Sequence, residues 1–507
     1  MQTSPTQSDN QRIANNTAML LLRMSITMGV SLYTSRVVLL NLGVEDFGIY
    51  NVVAGFIAMI GFLYGAMSSA TQRFLSFEIG KGNNSQLKKT FNMSLIIHII
   101  IAVLIGTIAE IIGSWFIRNY LNIPVNRIDA ATTVFNISLL TFMINIINVP
   151  YNALIISHER MSVFAWLSIV EASLKLLTAF LLTYFFIDKL IFYSYLLLGS
   201  TLLIFLIYKT YCNIKFDESA FKFDWDNVLF KTLLSFLSWN LWHSVAKTVS
   251  DNGVNILLNI GFGPSINAAK AISSQVSGAT NHFGWAVQVA VNPQIIKLYA
   301  SNQIDRMHLL VTYGAKYNFF ILIILSSPLL IRTDDILDIW LVNPPQLAAE
   351  FIKIALIIVI IESLSATIIT AAQATGNIKA FQSIVSFILL LNLPAAYIAL
   401  KLGADSISIV SLNIIISLLA FIVRLYILRY LTGISVVNFF KQTILRIILI
   451  IFFLFFCFNY LLLDLIYKSN LFISLIIIVL TVLISILLFG LSKLELNFIM
   501  KKFKKYY

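Results

Sequence analysis

Long apolar runs separated by short polar breaks recur from Ile13 to Leu491. Crossing a bilayer as a helix takes about 20 such residues, so the pattern predicts about fourteen spans. They fall near residues 13–40, 47–72, 91–117, 127–154, 163–185, 190–212, 231–260, 265–297, 312–336, 346–372, 379–401, 406–430, 441–463 and 470–491. The fold class is all-α and polytopic. The breaks are short, as at Asn41–Asp46, Asp188–Lys189 and Gly261–Pro264, and the longest, Asn213–Phe230, leaves no room for a soluble catalytic domain. Against this background the charges inside the runs stand out: Arg23, Arg36, Glu110, Glu171, Lys175, Lys247, Asp251, Lys270 and Glu362. Each costs at least ~2.5–3.5 kcal/mol at bilayer depth. They are expected to face partners or water, which implies a polar cavity within a helical bundle.

Composition (59% hydrophobic, 11% charged) agrees with a membrane chain, and the formal charge of +12 takes its meaning from where the basic residues fall. One set of alternate loops, with Arg73, Lys88, Lys89, Lys215 and the tail Lys501, Lys502, Lys504 and Lys505, holds about 22 basic residues and the opposite set about six, which puts both termini in the cytoplasm. The surplus then orients the protein, and this outweighs nucleic-acid or specific lipid binding. Met1–Arg12 is polar and no short apolar segment with a small-residue cleavage site follows, so the first span is expected to be retained. Cys212 and Cys457 lie in apolar runs and suggest neither a disulfide framework nor a metal site, and the five histidines lack zinc-type spacing. The external acids Asp334, Asp335 and Asp338 read as solvated charges at a helix end rather than an active site.

A weak repeat organises the chain. Leu39–Gly43 is echoed 218 residues later by Leu257–Gly261, the stretch Ala70–Asn83 lies opposite Ala290–Gln303, and the loop before Phe164 lies opposite the loop before Phe381. Offsets of 217 to 220 place six spans between the copies, which predicts a parallel repeat of two six-helix halves, the usual frame for alternating access around a site near the bilayer midplane. The expected organisation is an N-terminal half, 1–212; a cytoplasmic linker, 213–230; a C-terminal half, 231–430; and an added pair of helices with a basic tail, 431–507. That pair reads as uniformly apolar and suited to lipid contact or a lipid-binding groove.

Asn15-Asn16-Thr17, Arg23, Tyr33 and the run from Arg36 to Val52, which contains Leu39-Leu40-Asn41-Leu42-Gly43-Val44-Glu45-Asp46-Phe47-Gly48, resemble the opening of bacterial polysaccharide flippases. These are the Wzx-type O-antigen translocases of the multidrug/oligosaccharidyl-lipid/polysaccharide exporter superfamily. The resemblance extends through Arg73-Phe74, Gly80-Lys81-Gly82 and the stretch Asn255–Ala271. It implies movement of an undecaprenyl-pyrophosphate-linked oligosaccharide from the cytoplasmic to the periplasmic leaflet of a bacterial inner membrane, for O antigen or capsule. It further implies membrane lipids, a polysaccharide polymerase and chain-length proteins as partners, and no cofactor beyond a proton or sodium gradient.

A pyrophosphate entering a low-dielectric cavity needs Arg or Lys donors, which makes Arg23, Arg36, Lys247 and Lys270 the candidate cationic ligands. Arg23 and Arg36 are thirteen residues apart, about 220° modulo a full turn of an ideal helix, so they point to nearly opposite faces. Ion pairing and snorkelling are the competing roles for Arg23. On the seventh span Trp239, Asn240, His243, Lys247, Asp251 and Asn255 form a polar stripe. Lys247 and Asp251 either neutralise each other or divide the work, Lys247 on phosphate or sugar and Asp251 on a coupling cation. Trp239, Asn240 and His243 are candidate sugar contacts. Glu110, Glu171, Asp251 and Glu362 are candidate ion-coupling carboxylates, although Glu171 is one turn from Lys175 and interhelical pairing competes for the others. Gly61-Phe62-Leu63-Tyr64-Gly65 is a close-packing motif. The competing functions are a drug or small-cation exporter, which would favour an acidic, aromatic cavity, a polymerase or ligase, and a non-transporting scaffold. No phosphate-binding Gly-x-x-x-x-Gly-Lys-Ser/Thr loop occurs, so direct ATP hydrolysis is excluded.

Overall fold

The computed structural model describes residues 7–119, 123–184, 188–341, 344–492 and 495. Among them all regular structure is helical, as expected where no water is present to satisfy backbone N–H and C=O groups. The helices are α1 (Gln7–Ile60), α2 (Phe62–Lys81), α3 (Asn84–Asn119), α4 (Ile128–Ser157), α5 (Met161–Leu181), α6 (Lys189–Lys215), α7 (Asn227–Phe262), α8 (Pro264–Ala300), α9 (Ile304–Ile331), α10 (Thr333–Trp340), α11 (Ala348–Ala374), α12 (Lys379–Leu390), α13 (Asn392–Lys401), α14 (Ser406–Thr432), α15 (Val436–Phe439), α16 (Leu445–Phe456), α17 (Leu463–Lys468) and α18 (Leu471–Ser485).

Ten helical segments among the described residues are long and apolar enough to cross a membrane. The expected spans near 13–40, 47–72, 231–260 and 265–297 are also helical, in α1, α2, α7 and α8, but fall outside that group of ten. α1 is interrupted at Gly43, whose φ of 77° and ψ of 169° are not helical. α7 and α8 are parted at Gly263, with φ 83°. A residue with a Cβ is strained at such φ values, and glycine is not. Gly61 stands between α1 and α2, and a Cβ added at Gly65 would meet nothing within 4 Å, so Gly65 makes no close helix contact.

The chain forms two compact units. Unit 1 comprises Met1–Val245 and Ile296–Gln303. At its centre α4 packs against α2, α3 and α6, with Ala131, Val134 and Phe135 fully buried, and α1 lies along α5. Arg127 bridges Asp46 and Asp188, with Nη1 2.6 Å from Asp188, and Asp188 also caps α6 by accepting from Leu190 and Ile191 N–H. Two linker residues meet His158 at the end of α4: Phe216 stacks on its ring and Glu218 lies 2.6 Å from it. Burial pushes the Glu218 carboxyl up, but the hydrogen bond and charge of His158 and a backbone N–H outweigh it and hold the group below the usual carboxylate range.

Unit 2 comprises Ala246–Ile295 and Ile304–Tyr507, and its core helix α11 packs against α9 and α14. Small residues let α9 approach closely enough for Asn318 Nδ2 to donate to Ser363 O at 3.0 Å and Thr367 Oγ1 to donate to Val311 O at 2.9 Å. The C-terminal helices are not free of charge, as the sequence pattern suggested. Arg446 donates to Gly490 O at 3.1 Å, and Thr443 donates to Thr312 O on α9 at 3.2 Å. Lys316 of α9, 1% exposed, meets Glu495 at 2.7 Å, and Tyr317 donates to the same carboxylate at 2.5 Å. Of the acids at α10, Asp334 and Asp338 are exposed, while Asp335 accepts from Arg332 Nε at 2.5 Å, and Arg332 also donates to Ile466 O of α17. Cys212 and Cys457 are buried and unbonded to each other.

Candidate functional site

Unit 2 contains a cavity of about 380 Å³ between α7, α8, α11 and α14, with single residues from α12 and α13 closing it. Its walls follow from local sequence. The four-residue spacing of Lys247, Asp251 and Asn255 places all three on one stripe of α7 that faces the cavity. Across the bend at Gly263, Asn267 of α8 donates at 2.8 Å to both the carbonyl and the side-chain oxygen of Asn255, and accepts from Asn259 at 2.7 Å. This amide cluster pins the two helices, and Lys270, one turn on from Asn267, enters the same cavity. Glu362 comes from α11 and Arg424 from α14. The rest of the lining is rich in amides and hydroxyls, among them Asn252, Asn281, Asn413, Ser274 and Ser277.

The cavity therefore holds three cationic side chains, Lys247, Lys270 and Arg424, against two carboxylates, Asp251 and Glu362. Asp251 lies within electrostatic reach of Lys247, Lys270 and Glu362. Among the described residues the Lys247, Asp251 and Lys270 side chains make no hydrogen bond and no ion pair within 4 Å, so the expected mutual neutralisation along α7 is not a direct contact. Glu362 is different: it accepts from Arg424 Nη1 at 3.0 Å, and the arginine side chain is 2% exposed.

The remaining candidates lie in unit 1. Arg23 stacks over Phe164, its guanidinium carbon 4.4 Å from the ring centroid, and is within electrostatic reach of Glu171, Tyr64 and Tyr208. Glu171 pairs with Lys175 at 2.7 Å on the same helix. Glu110 accepts from Ser114 at 2.7 Å, and the Asn136 amide, oriented with nitrogen toward it, donates at 2.8 and 3.2 Å. Trp239, Asn240 and His243 belong to the part of α7 in unit 1 and are not among the residues lining the cavity; Asn240 is buried and donates to Phe236 O at 3.1 Å. The Arg36 side chain lies outside the described residues. No group of three His, Cys, Asp or Glu residues that could hold a metal occurs among the described residues.

Sequence reasoning missed Arg424. It stands near the end of a predicted span, where an arginine reads as a snorkelling interface residue. Apart from Asn255, it also missed the cavity's asparagines and serines, which are uncharged and raise no alarm in a hydropathy profile.

Residues 19–181 and 248–398 match the MatE family. No curated protein matches the chain. Among solved structures, a point mutant of a MATE protein has 13% identity and a TM-score of 0.74, covering 84% of this chain and 97% of its own. An outward-facing multidrug resistance MATE transporter of the MOP superfamily has 14% identity and a TM-score of 0.72, covering 85% and 98%. A MOP-superfamily transporter from Pyrococcus furiosus, described as having a binding pocket of reversed polarity that suggests a different function, has 13% identity and a TM-score of 0.72, covering 85% and 98%. None of these three is described as a polysaccharide flippase.

Proposed function

This chain belongs to the MatE family and is a multi-pass membrane transporter rather than an enzyme, and from that premise we propose that its cargo is an anionic, sugar-bearing lipid such as an undecaprenyl-pyrophosphate-linked oligosaccharide. The observation that carries this reading is the cavity of unit 2, where three cations outnumber two carboxylates and the other lining groups are largely amides and hydroxyls. A phosphate or pyrophosphate brings the negative charge that such a site lacks, and charge-assisted hydrogen bonds from Lys and Arg are the strong form of that contact. Amides and hydroxyls both donate and accept, as sugar hydroxyls require.

Export of drugs or small cations is the second reading, and it has its own support: a transporter of the same fold is described as a multidrug resistance MATE family member. A cation would have to settle among Lys247, Lys270 and Arg424 and rely on Asp251 and Glu362 alone. The Pyrococcus furiosus protein supplies a precedent within the fold for arguing from pocket polarity to a different function.

The working arrangement we propose is two halves related by a parallel repeat, with both termini cytoplasmic. Its support is that backbone positions with positive φ recur in register: Gly43 and Gly263, Gly82 and Asn302, Glu159 and Gly376 are 220, 220 and 217 residues apart. An inside-negative potential favours outward movement of the headgroup by ~2.3 kcal/mol per charge per 100 mV, and proton or sodium entry at Glu110, Glu171, Asp251 or Glu362 is the proposed supplement. The test is purified protein in liposomes with a fluorescent lipid-linked oligosaccharide. The expected result is translocation without ATP, faster with the potential inside-negative for protein oriented as in the cell. Efflux of an organic cation with no movement of the glycolipid would establish the second reading instead.

A further inference from the structure

We infer that Glu362 is a built-in counter-ion that occupies Arg424 while the cavity is empty and is displaced from it by the anionic group of the cargo. The inference rests on the anionic-cargo reading and adds a specific exchange to it. Arg424 is 2% exposed, yet it lines the cavity. Its guanidinium offers five N–H donors in a fixed fork. Nη1 donates to Glu362, and Nε has no partner among the described residues. A donor left unsatisfied in a buried site is costly, and a phosphate can take both edges of the fork where the carboxylate now takes one.

The partner is suited to leave. Glu362 is 24% exposed and belongs to a different helix from Arg424, so the contact can open without unwinding either helix. It also lies within electrostatic reach of Asp251, a like charge on α7. In the empty cavity the carboxylate stands where a phosphate oxygen would stand and spares Arg424 the penalty of an unpaired buried charge. When cargo arrives, Lys247 and Lys270 meet it on the α7–α8 wall and Arg424 exchanges one oxyanion for another. The displaced Glu362 then repels the bound anion, which weakens binding and assists release. No bond is made or broken beyond hydrogen bonds and ion pairs. A plain structural strut between α11 and α14 would have the same contact in the empty protein but a different response to substitution.

Full-length protein in detergent micelles is titrated with inorganic pyrophosphate by calorimetry, and thermal unfolding is recorded with and without the probe. Glu362→Gln is expected to tighten binding by about tenfold or more, because the anion no longer has to evict a carboxylate. Its thermal shift on adding pyrophosphate should exceed that of the unsubstituted protein. Glu362→Asp, which keeps the charge but withdraws it by one methylene, should tighten binding by less and guards against failure of the glutamine variant to fold. The double variant Glu362→Gln with Arg424→Gln should lose the gain. Binding by the unsubstituted protein that Glu362→Gln leaves unchanged or weakens overturns the exchange while leaving the anionic-cargo reading standing, and so does a gain that persists without Arg424. Absence of pyrophosphate binding in every variant overturns both.

Discussion

The deep charges of unit 1 and those of unit 2 are alike in sequence and opposite in situation. Among the described side chains of unit 1, Glu171 is met by Lys175 one turn away, Glu110 by Ser114 on its own helix and Asn136 on the next, and Arg23 by the face of Phe164. In unit 2 charges from α7, α8, α11 and α14 converge on one cavity, and of these described charges only Glu362 and Arg424 touch each other. A charge within an apolar run is thus not by itself a site. The cost of burying it can be met by a neighbour on the same helix, and what marks unit 2 is convergence without mutual satisfaction.

Charge reversal separates the two situations most sharply. Lys270→Glu is expected to reduce transport by roughly a hundredfold, the equivalent of about 3 kcal/mol, while Lys175→Gln, removing one member of a half-exposed pair, changes it by less than about twofold. Both are read as glycolipid translocation in liposomes at matched protein levels; equal losses from the two variants would erase the distinction between the units. Next in size is the stability of the empty protein. Glu362→Gln leaves Arg424 buried without its carboxylate and should cost about 3 kcal/mol, most of which the double variant with Arg424→Gln recovers; additive losses in thermal unfolding would show that the two side chains are not coupled. The smallest effect belongs to the linker. Glu218 has a depressed folded-state pKa, so its contribution, about 1 kcal/mol or less, is present above the unfolded carboxylate pKa and disappears as pH falls through the folded value. The stability difference between the unsubstituted protein and Glu218→Gln should therefore be measurable at pH 7 and vanish in acid; a difference that grew on acidification would contradict the sign of the shift.

Much of the helical framework was legible because lipid leaves the backbone few alternatives. Segments expected near 163–185 and 406–430 became α5 and α14 within a few residues, and the segment near 91–117 lies inside α3, which begins about two turns earlier. Charge placed in apolar runs also pointed to Lys247, Asp251, Lys270 and Glu362, which the fold gathers around one cavity. What stayed hidden depended on helix ends and on contacts between helices. Lys316 fell near the start of the expected span 312–336 and did not stand out among the deep charges, but α9 begins at Ile304, which carries that lysine three turns inside. Arg73 lay just past the expected end of the second span. It is 6% exposed and sits over Phe74, Phe77 and Phe236, the last from a helix far away in sequence. No pattern in a single apolar run can report such a contact.

The pair formed by Lys316 and Glu495 also has a history in time. The two residues are 179 positions apart in the chain. At about 5–20 residues per second, a ribosome takes roughly ten to thirty-five seconds after making Lys316 to produce its counter-charge. For that interval the nascent α9 must carry an ammonium group with no Glu495 to meet it, although its packing partner α11 is made soon after it.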